Sequence, residues 1–290
     1  MYSIQNLENL SGIKAHTIRI WEKRYQLLNP TRTETNIRIY SDEDLKKLLN
    51  VSTLISKGGK ISKISKLSSS EIGDQVEAHN SPTSSDTNIE LFINNLISSG
   101  LVFDTVKFEA TYSSAIISLG LVEMYFKVLL PTLIKIGLLW GKSEIIPAQE
   151  HLISNLIKQK IYASIDGLPT ESNPVKKHLL FLPPGEDHEI GLLITHYLLK
   201  QNNHQVFYLG NNIPLGNVEK SIELSNPDSL MFFVVRTWAS DKLKAVVEDL
   251  LKIYTGDIYV FGANEIIGGL EGDNIIKISS INEFKKIHFV

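Results

Sequence analysis

Between residues 178 and 290 short apolar runs alternate with amphipathic stretches, and this alternation restricts the fold more than any other feature of the chain. The runs HLLFL, QVFYLG, SLMFFVV and IYVFG have the length of buried strands. The stretches EIGLLITHYLLKQ, LGNVEKSIELS and DKLKAVVEDLLKI have the three- and four-residue apolar spacing of helices. Strands separated by helices pair in parallel, and a parallel sheet needs both faces covered. A doubly wound α/β domain of the Rossmann-like, flavodoxin-like kind is therefore predicted over 169–290.

The two preceding blocks differ. Residues 88–168 are helical by pattern, and four helices fit, with breaks near Gly100, Gly120 or Pro131, and Pro147. Ser68 to Thr87 is rich in Ser, Thr, Asp and Asn, contains a proline and lacks apolar periodicity, so 68–87 reads as a flexible linker. Residues 1–67 form a head. In it a short helix from Ile4 to Leu10, a turn at Gly12 and a basic helix from Lys14 to Tyr25 make a helix-turn-helix. Ile18 and Trp21 face its core. The extended TRTETNIRIYS, with a turn at Glu34–Asn36, reads as a two-stranded wing carrying Arg32, Arg38 and Tyr40. Ser41 caps a third helix. The class is multidomain α and α/β: a winged helix-turn-helix head, a four-helix bundle and a doubly wound parallel sheet.

Charge sharpens the division. The formal net charge of -3 hides a split: residues 1–66 hold 12 Lys and Arg against 6 Asp and Glu, and the rest holds 17 against 26. A basic head on an acidic body suits a domain that meets a polyanion. The chain has no cysteine, which excludes disulfides, cysteine-ligated zinc, iron–sulfur clusters and a thiol nucleophile. No run of 18 apolar residues occurs, and MYSIQNLENL lacks a signal peptide's basic start and apolar stretch. A cytoplasmic protein without a membrane partner is expected. No P-loop, glycine-rich dinucleotide loop or hydrolase triad spacing is present, and no enzymatic activity is expected.

Three constellations stand out. HTIRIWEKRYQLLNPTRTETNIRIYSDEDL resembles the DNA-binding head of MerR-family transcription regulators over nearly the whole head. The resemblance implies double-stranded DNA as partner. His16 and Thr17, early in the second helix, become candidates for base edges, and Lys14 for the same DNA-facing surface. Arg19, Arg24, Arg38 and the Tyr40 hydroxyl become candidates for phosphates, which supply affinity and position while base contacts supply sequence choice.

The second constellation follows the first apolar run. PPGEDHEIG places Glu186, His188 and Gly191 in a Glu-x-His-x-x-Gly spacing at the carboxyl end of a strand, where doubly wound sheets bind ligands. By itself a loop histidine is either a solvated or capping residue or a metal ligand oriented by a neighbouring carboxylate. The spacing resembles the Asp-x-His-x-x-Gly motif of cobalamin-binding domains, with YLGNNIP, PDSLMFFVV and YVFGAN in the places of later strands. It implies His188 as lower axial ligand to cobalt. Two positions depart from that pattern. The small hydroxyl residue that lines the slot for cobalamin's nucleotide tail aligns near Phe233 or Val234, and the Gly-Gly pair appears as Phe261–Gly262. A phenylalanine buries about 150–250 Å² of its own surface, so the pair has the bulk to fill that slot.

The third is Trp140 followed by Glu150 and His151, which alone reads as an aromatic near one helix end and a polar pair at the start of the next. Trp-x9-Glu-His resembles the cap of the light-sensing, cobalamin-dependent MerR-type regulators, the CarH and LitR group. The block order resembles that group along the whole chain. What the resemblance implies is a repressor gated by adenosylcobalamin and light through cofactor-dependent oligomerisation, as a dimer or tetramer. Trp140 would pack on the adenosyl group with Glu150 beside it, and His151 would take cobalt after photolysis. Two other readings are a regulator of the same architecture that answers to a protein partner or another ligand, and a cobalamin-dependent methyltransferase module, for which the basic head has no use.

Overall fold

A computed structural model of the chain describes residues 2–33, 36–56, 58–78, 85–141, 145–170, 172–235, 240–280 and 283. Two compact units divide it, Met1–Asn155 and Leu156–Val290. The winged helix-turn-helix, the helical bundle and the doubly wound parallel sheet are all present.

In the first unit, Ser3 starts helix α1 (Ile4–Ser11) with a capping box: its hydroxyl accepts from the Asn6 N–H, and the Asn6 side chain accepts from the Ser3 N–H. Gly12, at φ 72°, ends that helix in a left-handed conformation that glycine adopts without strain. Helix α2 (Ala15–Tyr25) follows, then the strands β1 (Thr31–Arg32) and β2 (Arg38–Ile39), which pair antiparallel. Glu34 of the expected turn lies outside the described residues. Asn36, at φ 63°, donates its N–H to the Thr33 carbonyl at 2.9 Å. Helix α3 (Asp42–Ser56) begins where the Ser41 hydroxyl accepts from the Asp44 N–H at 3.1 Å. Leu7, Leu10, Ile18, Tyr40, Leu45, Leu48 and Leu49 are buried as the head's core.

A short helix α4 (Ile61–Ile64) leads to α5 (Ser69–Ala78), which corrects the expectation of a flexible linker. The polar composition of this stretch hides two apolar residues one turn apart, Ile72 and Val76, both buried in a helix that packs against α3. Residues 79–84 of that stretch lie outside the described residues.

The bundle consists of α6 (Ser85–Leu101), α7 (Thr105–Met124), a π-helical turn (Tyr125–Leu129), α8 (Leu130–Gly141) and α9 (Pro147–Asp166). Gly120 breaks the helical path inside α7 at φ 71° and ψ 161°. Helix α6 packs on α3, and Asn94 donates to the Thr53 hydroxyl at 3.2 Å across that buried contact. Head and bundle thus share a core, where the sequence pointed to separate blocks, and the boundary between the two units falls within α9. The helical run Thr105–Trp140 has the length and hydropathy of a membrane span, which a search for unbroken apolar runs misses. Its charged residues and the turn at Gly120 interrupt it, and 39% of its most apolar window is buried.

In the second unit, β3 (Lys177–Phe181), α10 (Ile190–Gln201), β4 (Gln205–Gly210), α11 (Leu215–Ser225), β5 (Ser229–Val234), α12 (Ser240–Ile253), β6 (Asp257–Gly262), α13 (Asn264–Ile267) and β7 (Ile275–Ile278) follow in order. The five strands are all parallel in the order β4-β3-β5-β6-β7, so strand order reverses between β3 and β5. Leu179, Phe181, Leu230, Phe232, Val234, Ile258 and Val260 fill one face together with Val218 of α11 and Val247 of α12.

Two tests follow from the packing. A Cβ on Gly100 would lie 2.4 Å from Cγ1 of the buried Ile153, so α6 and α9 meet closely there. Gly100→Ala gains roughly 1 kcal/mol of helix propensity but costs about 1–3 kcal/mol in overpacking. A lower urea midpoint at unchanged slope is expected. In the α/β unit, burial pushes His178 and His196 down to about 4 from 6.5. Above 6.5 both are neutral folded or unfolded. Below it the unfolded chain takes up protons that the folded chain refuses, so stability falls as pH drops from 6.5 towards 4. Nδ1 of His196 is buried with no hydrogen-bond partner among the described residues, and its ring stacks on Tyr208 at 5.3 Å. Thermal melts of His196→Phe, which keeps the stack and cannot titrate, are expected to show a shallower decline over that pH window.

Candidate ligand site and nucleic-acid face

The loop after β3 reaches its shape through one carboxylate. Glu186 is fully buried, and its Oε1 accepts from the N–H groups of Asp187 at 3.0 Å and His188 at 3.1 Å. The same oxygen lies 2.5 Å from Nδ1 of His188, while Oε2 accepts from the Val235 N–H at 2.9 Å. With Nδ1 bonded to the carboxylate, Nε2 of His188 is the ring nitrogen left over, and the side chain is 51% exposed. A carboxylate that orients an imidazole and raises its basicity is the arrangement transition-metal ligands use. On the other side of the loop, Gly185 turns at φ 91° and donates its N–H to Asn212 Oδ1 at 2.8 Å, and Asn212 donates to Asp187. The strand-end sequence YLGNNIP thus supports the histidine loop.

The neighbouring Glu189 was not singled out from the sequence. Tyr208 and Tyr162 both donate to its Oε1, at 2.7 and 2.9 Å, and Lys158 Nζ lies 3.7 Å from its Oε2. Burial and the Glu189 carboxylate together raise the Tyr208 hydroxyl far above its ordinary range. Only its position next to His188 could have marked this residue.

Gly191 and Gly262 sit close to side chains of their own domain. A Cβ at Gly191 would meet the Phe233 ring at 2.6 Å, and one at Gly262 would meet the Val234 carbonyl at 2.7 Å and Ile267 at 2.9 Å. Phe233 and Phe261 stack at 4.3 Å between centroids with planes 3° apart.

In the first unit, Trp140 is half exposed near the end of α8, and Glu150 and His151 occupy the first turn of α9 with Oε2 and Nδ1 2.8 Å apart. His151 is 69% exposed, and residues 142–144 between the two helices lie outside the described residues.

On the head, Lys14, His16, Arg19 and Arg24 are exposed and Thr17 is half-buried, while Ile18 is fully buried. Tyr40 departs from expectation: it is fully buried, and its hydroxyl donates to Glu22 Oε2 at 2.9 Å, so its oxygen faces the head's core. Arg38 donates Nε to Glu22 Oε1 at 2.8 Å, which fixes the second wing strand to α2. Glu22 is a structural residue that charge counting treats as one acid among basic neighbours.

Residues 2–71 match the MerR HTH family regulatory protein family, and residues 93–163 match the B12 binding domain family. The HTH-type transcriptional repressor CarA of Myxococcus xanthus is 31% identical over 254 residues, which cover 86% of this chain and 82% of CarA. The HTH-type transcriptional repressor CarH of the same organism is 26% identical over 230 residues, covering 78% and 76%. Among solved structures, the monomethylamine corrinoid protein of Methanosarcina barkeri superposes with a TM-score of 0.53 at 14% identity, over 67% of this chain and 95% of that one, a likeness of fold.

The head geometry separates two kinds of substitution. Arg19→Ala or Arg24→Ala is expected to weaken binding to duplex DNA and to lower the log–log salt slope by about 1. Tyr40→Phe is expected to leave that slope unchanged and to cost about 1 kcal/mol of stability, read by denaturation, because Glu22 loses a donor.

Proposed function

Because the chain belongs to the family of MerR-type transcriptional repressors that includes CarA, with a B12-binding domain behind a helix-turn-helix head, we propose that its hold on DNA is gated by adenosylcobalamin and light. It is a DNA-binding regulator and not an enzyme. Its target makes the cytoplasm its place of action.

The observation that carries the cofactor reading is the buried Glu186 with His188 fixed on it. An imidazole with one nitrogen committed to a carboxylate and its side chain half exposed is a donor that suits cobalt in a corrin ring, and the chain offers no thiolate that could compete for the metal. On this reading His188 would hold the metal, Trp140 and Glu150 would meet the cofactor's organic group, and the exposed His151 beside Glu150 would be a second donor for the metal. Bound adenosylcobalamin supplies a cobalt–carbon bond that light can break. The proposed gating is linkage: a ligand that favours an assembly of several chains raises the effective concentration of each head at its operator, and loss of the ligand's upper group removes that advantage. DNA-binding residues on this reading are Lys14, His16, Thr17, Arg19 and Arg24, with Arg38 holding the wing.

A second reading has one observation in its favour. Phe233 and Phe261, at positions where the cobalamin-binding pattern has small residues, stack on each other, which suits a regulator of the same architecture answering to a protein partner or another ligand.

Purified protein mixed with adenosylcobalamin in the dark is expected to change its visible spectrum, to bind operator DNA as a dimer or tetramer, and to lose both assembly and operator binding on illumination. Operator binding that is identical with and without the cofactor, in dark and light, would rule the gating out and favour the second reading.

A further inference from the structure

Side chains alternate across a strand, so neighbours on β5 and β6 face opposite sides of the sheet. Phe232, Val234 and Val260 belong to the core under α11 and α12. Phe233 and Phe261, directly paired across the two strands, therefore face the other side, where α10 lies. Phe233 reaches the first turn of α10: a Cβ at Gly191 would stand 2.6, 2.8 and 3.3 Å from three of its ring carbons. Phe261 is 2% exposed and lies face to face with Phe233. The space that the absence of a side chain at Gly191 opens beside the sheet is thus taken by a phenyl ring of the same domain. Gly262 faces the opposite side, where a Cβ would meet the Val234 carbonyl at 2.7 Å and Ile267 at 2.9 Å. The histidine of the loop is open and the space at Gly191 is filled: His188 is 51% exposed, while Phe261 is buried and the partly buried Phe233 fills the place of a Gly191 side chain.

We infer that this domain takes its corrinoid at the His188 surface without admitting the nucleotide tail, so that a tailless corrinoid binds at least as tightly as complete cobalamin. The inference rests on the cofactor reading proposed above and specifies the ligand class for that site. Its physical ground is that every ångström of a tail inserted beside Gly191 has to displace the Phe233–Phe261 stack, and a close-packed interior yields little. A tail left in solvent adds no contact. It must also leave cobalt before His188 can bind, a step that cobinamide does not need.

The test uses the full-length protein in the dark, titrated separately with aquocobalamin and diaquocobinamide. Uptake is followed by absorbance and by equilibrium dialysis, with His188→Ala as control. The wild type is expected to bind cobinamide as tightly as aquocobalamin or more tightly, with both spectral shifts lost in the control. Phe233→Ser combined with Phe261→Gly is expected to shift the preference towards complete cobalamin by about tenfold, a difference of about 1.4 kcal/mol. Wild-type protein that prefers aquocobalamin by about tenfold or more overturns the inference and leaves the cofactor reading standing. Wild-type protein that takes up neither corrinoid overturns the cofactor reading and this inference with it. The wild-type ratio decides the matter even where the double variant fails to fold.

Discussion

A buried carboxylate holds the functional end of the α/β unit together. Glu186 has no exposed surface and four N–H groups around it: two from its own loop, one from the His188 ring and one from Val235, at the end of a strand that pairs with β3. A buried charge without such partners would cost several kcal/mol. The loop conformation that supplies these partners also leaves the His188 side chain half exposed. The same acid therefore fixes the backbone of the loop, the tautomer of the His188 ring and the join between the loop and the next strand.

The doubly wound sheet was legible because its signal is periodic and long: four apolar runs alternate with helices, which calls for parallel strands covered on both faces. The helix-turn-helix was legible for a different reason, since its wording in HTIRIWEKRY and IRIYSDEDL carries a specific resemblance. The helix at Ser69–Ala78 was not legible. Two apolar residues, Ile72 and Val76, are too few to register as a period among serines and acids, yet they suffice once α3 is there to receive them. Tyr40 failed for a similar reason. A tyrosine on a basic wing reads as a phosphate donor unless one knows that Glu22 lies opposite it.

The site shows the same division between local and non-local information. Glu186, His188 and Gly191 could be named from spacing because they lie within six residues of one another. The acceptance of the Val235 N–H by Glu186, separated by 49 residues, could not. Nor could the tyrosines that converge on Glu189 from α9 and β4. Phe233 and Phe261 were visible as departures, but only the structure puts one ring on Gly191 and the other flat against it. Gly191 thus keeps its identity while its space has gone to packing, so a motif letter can persist after the room it once signalled is filled.

In the first unit, the Thr53–Asn94 contact joins the head to the bundle through a shared core, so the helix-turn-helix and helices α6 to α8 of the B12-binding family match belong to one compact unit. The regulatory chemistry proposed for the chain, by contrast, rests on one imidazole nitrogen. The most direct measurement is electron paramagnetic resonance of the protein loaded with a cobalt(II) corrinoid, prepared once with ordinary histidine and once with ¹⁵N-histidine. If Nε2 of His188 is the axial donor, the nitrogen splitting of the cobalt signal changes from a triplet to a doublet on labelling and disappears in His188→Ala. Splitting that is indifferent to the label would contradict the account.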